Sequence, residues 1–317
     1  MQSALTLLEH IVDYAGLFPP AKLDMAPTVR NYAAFRSGSD DWMLGRIIVP
    51  VARLEEFEQE AESLLPRVPE ASSIGTEDDD VWSISALTVA ADDPALEADL
   101  AAIDAFNDRH AQVGAGAAHI DTIELRAASP LAIERAIDLV PEHVFPFFEI
   151  PLAGDQAGDC RGLITAIAGV GGGAKARTGG VTADAIPSVE ALARFLAACV
   201  AAEVPFKATA GLHHPLRHHA TSVGADMHGF LNVFAGACVA WAHGLDEAAL
   251  RRVLEHRDID AFRFDDDGLA VDGLAVDVGR IGTFRDAIAH AFGSCSFDEP
   301  LADLRTLKLI GLEGSIR

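Results

Sequence analysis

Apolar runs rich in β-branched or aromatic residues alternate along this chain with stretches whose apolar positions recur at helical spacing. The runs predict eight strands, at His10–Gly16, Leu44–Val51, Val81–Ala90, His119–Arg126, Val144–Ile150, Gly173–Arg177, Pro205–Ala210 and Ala261–Phe264. Between them, Leu54–Leu65 and Pro94–Ala111 are charged and rich in Ala and Leu, as surface helices are. The clearest helix is Ser188–Ala202, where Ser188 caps a face of Val189, Leu192, Phe195, Leu196, Cys199 and Val200. Asp246–Arg257 reads as another, with Leu250, Val253 and Leu254 turned inward, and Met227–Trp241 as a buried helix whose ends carry His228 and His243. Strand and helix in alternation predict βαβ units and a parallel sheet. Eight such units in 317 residues fit a (β/α)8 TIM barrel better than an open doubly wound sheet. The glycine run Gly171-Gly172-Gly173 precedes a strand and not a helix, so it is no nucleotide fingerprint. The expectation is a single domain over 1–317, with residues after about 275 forming a C-terminal helix near Thr283–Phe292 and a tail. Thr76–Asp80 and Asp265–Asp267 read as solvated acidic turns.

Composition narrows the partners. A formal charge of −24 argues against nucleic acid and anionic membranes, which select basic surfaces. The four cysteines, Cys160, Cys199, Cys238 and Cys295, lack close spacing and predict reduced thiols in a cytoplasm. The first residues include Glu9 and lack a basic then apolar leader, and no run is long enough to span a bilayer, so a cytoplasmic protein acting on a small molecule is expected. Barrels of this size often pair as homo-oligomers, although nothing in the sequence locates an interface. No cofactor is expected.

Lysine is the scarce residue: four against twenty arginines. Where Arg is so abundant, a retained Lys points to chemistry that a guanidinium cannot supply. Two of the four sit in near-copies of one phrase, Lys175-Ala-Arg-Thr-Gly179 and Lys207-Ala-Thr-Ala-Gly211, each at the end of a predicted strand. Active sites of barrels lie at the C-terminal ends of strands. Strand one offers Asp13 there, strand four Asp121, Glu124 and Arg126, strand five Glu149, strand six Lys175 and Arg177, and strand seven Lys207, His213 and His214. By alternation Lys175 and Arg177 share a face, whereas Asp121 and Glu124 share one only if a bulge intervenes. Two ammonium groups side by side lower an amine pKa and free it to attack a carbonyl as a Schiff base, with a carboxylate moving the protons. The plainer reading pairs each lysine with Glu149, Asp13 or Glu124 in a buried salt bridge.

These residues resemble the class I aldolases of the deoxyribose-phosphate aldolase type. Lys175-Ala-Arg-Thr-Gly is similar to that family's strand-six phrase with its Schiff-base lysine, and Lys207-Ala-Thr-Ala-Gly to the strand-seven phrase with its activating lysine. Asp121 in Ile120-Asp121-Thr122 resembles the strand-four aspartate that shuttles protons. Val12-Asp13-Tyr14, Val49-Pro50 and Phe148-Glu149 are weaker echoes in the same order. The resemblance implies a carbon–carbon lyase in which Lys175 bears the substrate, Lys207 depresses its pKa, and Asp121 is the acid and base; the likeness of the phrases leaves the two lysine roles exchangeable. Leu212-His213-His214-Pro215 stands where the family has a Gly-rich phosphate turn, and Gly293-Ser294-Cys295-Ser296, similar to the strand-eight phosphate turn, follows a predicted helix. Both departures, with Arg177, point away from a sugar phosphate and toward a keto or hydroxy acid bound by Arg177, Glu149, Asp13, His213 and His214.

Two other readings stand beside it. His213, His214, His218 and His219 could join Glu149, Asp121 or Asp13 around a divalent metal, giving a metal-dependent hydrolase or lyase, although Pro215 predicts a helix start that splits the histidines. The other is a barrel that binds a small anion without catalysis. Cys295 between two serines has no base beside it in the sequence and reads as a buried structural thiol.

Overall fold

The apolar runs that predict the first seven strands each form one. In a computed structural model that describes residues 1–69, 81–154 and 157–311, these are β1 (Val12–Tyr14), β2 (Leu44–Pro50), β3 (Trp82–Leu87), β4 (Ala118–Arg126), β5 (Phe145–Ile150), β6 (Gly173–Arg177) and β7 (Phe206–Thr209). Six short strands follow: β8 (His218–Ala220), β9 (Ala225–Met227), β10 (Phe262–Phe264), β11 (Gly268–Val271), β12 (Leu274–Asp277) and β13 (Ala289–Ser294). The helices are α1 (Gln2–Leu8), α2 (Met25–Arg36), α3 (Leu54–Ala61), α4 (Leu96–His110), α5 (Pro130–Ile137), α6 (Arg161–Val170), α7 (Val189–Ala201), α8 (Phe230–His243), α9 (Glu247–Glu255), α10 (Val278–Ala287) and α11 (Asp298–Thr306). Ser188 caps α7 as the sequence predicts, accepting from the Ala191 amide, and Asp246 caps α9, accepting from the Ala249 amide.

β1 to β7 and β13 close into a parallel eight-stranded TIM barrel. The eighth strand is not the predicted one. Phe262–Phe264 pairs antiparallel with β11 in a three-stranded sheet outside the barrel, and Asp265–Asp267 is its turn. The barrel's eighth strand is instead Ala289–Ser294, which overlaps the end of the stretch Thr283–Phe292 that reads as a helix. The helix α10 stops at Ala287, and the chain turns extended between β1 and β7. Packing decides this. Phe292 is fully buried, its ring 5.2 Å from Phe230 and 5.9 Å from Phe234 on α8, and that burial overrides the local helical pattern. Residues after about 275 therefore hold a barrel strand and α11, not just a helix and tail.

Two further expectations change. Pro215 starts no helix: it lies in a bend ahead of the antiparallel ribbon β8–β9, which carries His218 and His219. The acidic turn Thr76–Asp80 lies outside the described residues. All four cysteines are free thiols, and no helix among the described residues is long and apolar enough to cross a membrane.

If β13 closes the barrel as described, Phe292→Ala should lower the urea-unfolding free energy by about 3–5 kcal/mol, the usual cost of emptying a buried Phe site. A loss below about 1 kcal/mol would mean that this strand is not packed as a barrel stave.

Candidate active site

Strand register brings the chemistry together. Lys175 on β6 pairs with Glu149 on β5 and with Lys207 on β7, so the two lysines of the twin phrases are direct neighbours. On β4, the register against β3 slips after Ile84: Ile120 faces Ile84, while Thr122 and not Asp121 faces Ser85. Asp121 is thus the extra residue of a bulge. Past the bulge, Glu124 reaches the lysines.

Five charges then form one chain. Lys207 Nζ lies 2.5 Å from Asp13 Oδ2 and 2.6 Å from Glu124 Oε1. Glu124 Oε2 lies 2.6 Å from Lys175 Nζ, which is 2.7 Å from Glu149 Oε2. The Ser85 hydroxyl donates to Glu124 Oε1 at 2.9 Å and accepts from Lys207 at 3.3 Å. The Arg46 amide donates to Asp13 Oδ1 at 2.7 Å. Gly45 makes room for that carboxylate, since a Cβ there would collide with Asp13 Oδ1. The Phe147 ring flanks Lys207, its centroid 5.4 Å from Nζ. Exposure rises along the chain from 0% at Asp13 to 15% at Glu149.

Burial and the neighbouring carboxylates act on the amine in opposite directions. Burial acts to lower the Lys175 pKa, but the charges and hydrogen bonds of Glu124 and Glu149 outweigh it and hold the amine above its ordinary value. Burial likewise acts to raise Glu124, and the two lysines more than reverse it, holding its carboxyl well below the usual range. The charges that raise Lys175 are those of Glu124 and Glu149, and the Glu124 carboxylate stands between the two ammonium groups. Each lysine is in the salt bridges that the plainer reading named.

The cavity decides which lysine is accessible. A space of about 310 Å³ at the C-terminal mouth is lined by Glu124, Arg126, Glu149, Lys175, Arg177, Thr209, His213 and Cys295 among others; Lys207 and Asp13 do not reach it. It adjoins a second space of about 500 Å³ that shares Arg126, Glu149 and Arg177 and extends over Ile150–Gly154 and Asp184. The guanidinium groups of Arg126 and Arg177 have no hydrogen bond or ion pair among the described residues.

Of the predicted site residues, Lys175, Lys207, Glu149, Asp13, Arg177 and His213 converge on this region. Asp121 does not. Arg46 grips it with two hydrogen bonds of 2.7 and 2.6 Å, three residues before Glu124 and so roughly 10 Å back along the strand. Burial acts to raise the Asp121 pKa, and the Arg46 fork outweighs it, leaving the carboxyl below its ordinary value. His214 also stands apart. Its Nδ1 lies 2.6 Å from Asp303 on α11, and its ring meets His218. Glu149 is held by Lys175, so the histidines and Glu149 make no joint metal site, and no group of three His, Cys, Asp or Glu among the described residues is arranged to hold an ion. The sequence reading underused Glu124 and Arg126, which alternation places on one face of β4, and Ser85, which carries no signal there.

No protein-family model matches the chain, and curated proteins yield no significant match. Among solved structures, one that is similar is a mandelate racemase/muconate lactonizing enzyme-like protein from Rubrobacter xylanophilus, 13% identical with a TM-score of 0.37 over 65% of this chain and 48% of that one. The present chain thus spans about half the length of that structure, and a likeness at this level carries no argument about function.

The charge chain sets opposite limits on stability. Glu124, held below its ordinary 4.5, contributes stability that is present above that value and is lost as pH falls through its depressed folded value. Lys175, held above its ordinary 10.5, contributes stability present below that value and lost as pH rises through its folded value. Urea unfolding should show a plateau between about pH 5 and about pH 10 with a fall on either side. Glu124→Gln should lower the plateau by about 3 kcal/mol, because the amide turns a donor toward one of two buried ammonium groups. An unchanged plateau would show that the lysines do not depend on this carboxylate.

Proposed function

We propose that the chain is an enzyme, a carbon–carbon lyase that works through a Schiff base on Lys175 and acts on small keto or hydroxy acids. The observation that carries this reading is that Lys175 alone of the paired lysines lines the cavity, between two carboxylates able to take its proton. Three carboxylates and two ammonium groups make the chain net negative by one. A proton moving from Lys175 to Glu149 converts an ion pair into a neutral pair without changing that sum. Burial favours the neutral pair, and a substrate that displaces water from the mouth strengthens the preference.

The free amine then adds to the substrate carbonyl; the oxygen takes one proton from the attacking nitrogen and a second from Glu149 and leaves as water, giving an iminium. A carboxylate removes the proton of the β-hydroxyl, the adjacent C–C bond breaks, and its electron pair passes to the iminium nitrogen as an enamine. Protonation at carbon and hydrolysis release the second fragment and restore Lys175. In this proposal the acid and base role that the family resemblance gives to Asp121 passes to Glu124 and Glu149. Lys207 stays charged beneath them and fixes Glu124. The unpartnered guanidinium groups of Arg126 and Arg177 flank Glu149 on adjoining strands and suit a substrate carboxylate.

Incubation with pyruvate, glyoxylate or acetaldehyde, reduction by borohydride and peptide mass spectrometry should find a reduced adduct on Lys175 that is absent from Lys175→Arg. An adduct confined to Lys207 would exchange the two roles. No adduct on either lysine with any of the three would sink the reading and leave an anion-binding barrel built on Arg126 and Arg177.

A further inference from the structure

A second reactive constellation opens on the same cavity. Cys295 is the residue after β13, and His213 follows β7, the neighbouring strand. Both line the mouth that Lys175 lines. Cys295 Sγ lies 3.9 Å from His213 Nε2, and His213 Nδ1 lies 2.9 Å from Glu299 Oε2 in the first turn of α11. An ionised carboxylate only accepts, so the proton of a neutral imidazole sits on Nδ1 and the Nε2 lone pair faces the sulfur. That is the order of nucleophile, base and orienting acid that activates a thiol. Only the fold joins the three residues, which lie at positions 213, 295 and 299 of the chain.

We infer that Cys295, His213 and Glu299 form a second covalent centre, which adds a thiol reversibly to an aldehyde held in the cavity. In this step His213 takes the thiol proton, the sulfur bonds to the aldehyde carbon, and the C=O bond opens to an alkoxide. The same proton then passes from His213 to that oxygen, giving a hemithioacetal. Nothing is oxidised and no group leaves. Acyl transfer would need in addition a leaving group and a hydrolysing water, whereas aldehyde addition needs only the proton that His213 carries. Burial pushes the Cys295 thiol up, so it rests protonated and reacts when its base takes the proton. The centre is separate from the lysine chemistry and does not require it.

The test is made in Lys175→Arg, which keeps the charge at that position and cannot form a Schiff base. Peptide mass spectrometry follows the rate at which iodoacetamide labels Cys295. His213→Gln should slow labelling at least about tenfold. Glu299→Ala should also slow it, while Glu299→Gln, whose amide oxygen still accepts from Nδ1, should restore most of the rate and so mark Glu299 as a positioning residue. Glyoxylate should protect Cys295 and acetate at the same concentration should not, and the 13C-labelled aldehyde carbon of glyoxylate should give a hemithioacetal resonance that Cys295→Ser abolishes. Equal labelling in the parent and His213→Gln, or equal protection by acetate, would overturn the proposal. Because Lys175 is already replaced, either result leaves the lysine reading standing or falling by its own test.

Discussion

One carboxylate, that of Glu124, keeps two buried ammonium groups in the same barrel. Two like charges on adjacent strands repel, and taking either out of water is costly unless a hydrogen-bonded counter-charge is present. Glu124 supplies one oxygen to each lysine, and Asp13 and Glu149 close the ends. Much of the surrounding structure follows from that arrangement. The bulge in β4 carries the chain so that Glu124 reaches the lysines, Gly45 leaves space for Asp13, and Ser85 satisfies the Glu124 oxygen on its Lys207 side. Barrel interiors of this type are usually filled by branched aliphatic side chains. Here the upper part of the interior is ionic.

The network is graded from a sealed end to an open one. Asp13 and Lys207 are buried beneath the mouth and out of reach of the cavity, whereas Lys175 and Glu149 look into it. A proton exchanged at the open end can be compensated by charges at the closed end that do not themselves move. Above them, Arg126 and Arg177 reverse the sign of the local field in a chain whose overall charge is strongly negative. Two guanidinium groups thus stand at the mouth, above a buried floor in which three carboxylates outnumber two ammonium groups.

What the sequence disclosed follows the range of the interactions involved. Strands one to seven are legible because each is a local apolar run, and the pairing of Lys175 with Lys207 follows from two similar phrases on successive strands. Ala289–Ser294 is illegible for the opposite reason. Its six residues carry no β-branched side chain, and only the packing of Phe292 on α8 makes them a strand. Asp121 matches the aldolase aspartate in its local residues, but a one-residue slip in register puts Glu124 beside the lysines instead. Cys295, His213 and Glu299 meet through the fold alone. Gly293-Ser294-Cys295-Ser296 accordingly sits at the end of a barrel strand and not after a helix.

The late position of β13 ties the candidate site to strands far apart in the chain. β13 is the stave that joins β1 to β7, and the small antiparallel sheet and three helices are strung between β7 and it. Before Ala289–Ser294 docks, β1 and β7 have no common neighbour, and Asp13 and Lys207 face an open seam where water can solvate them. Closure of the cylinder by this segment of low intrinsic strand preference, with Phe292 packed on α8, is thus part of what buries the charge chain. A nascent chain lacking its last strand would carry the lysines and acids of the site as ordinary hydrated charges, so the site comes into existence only when the first strand meets the last.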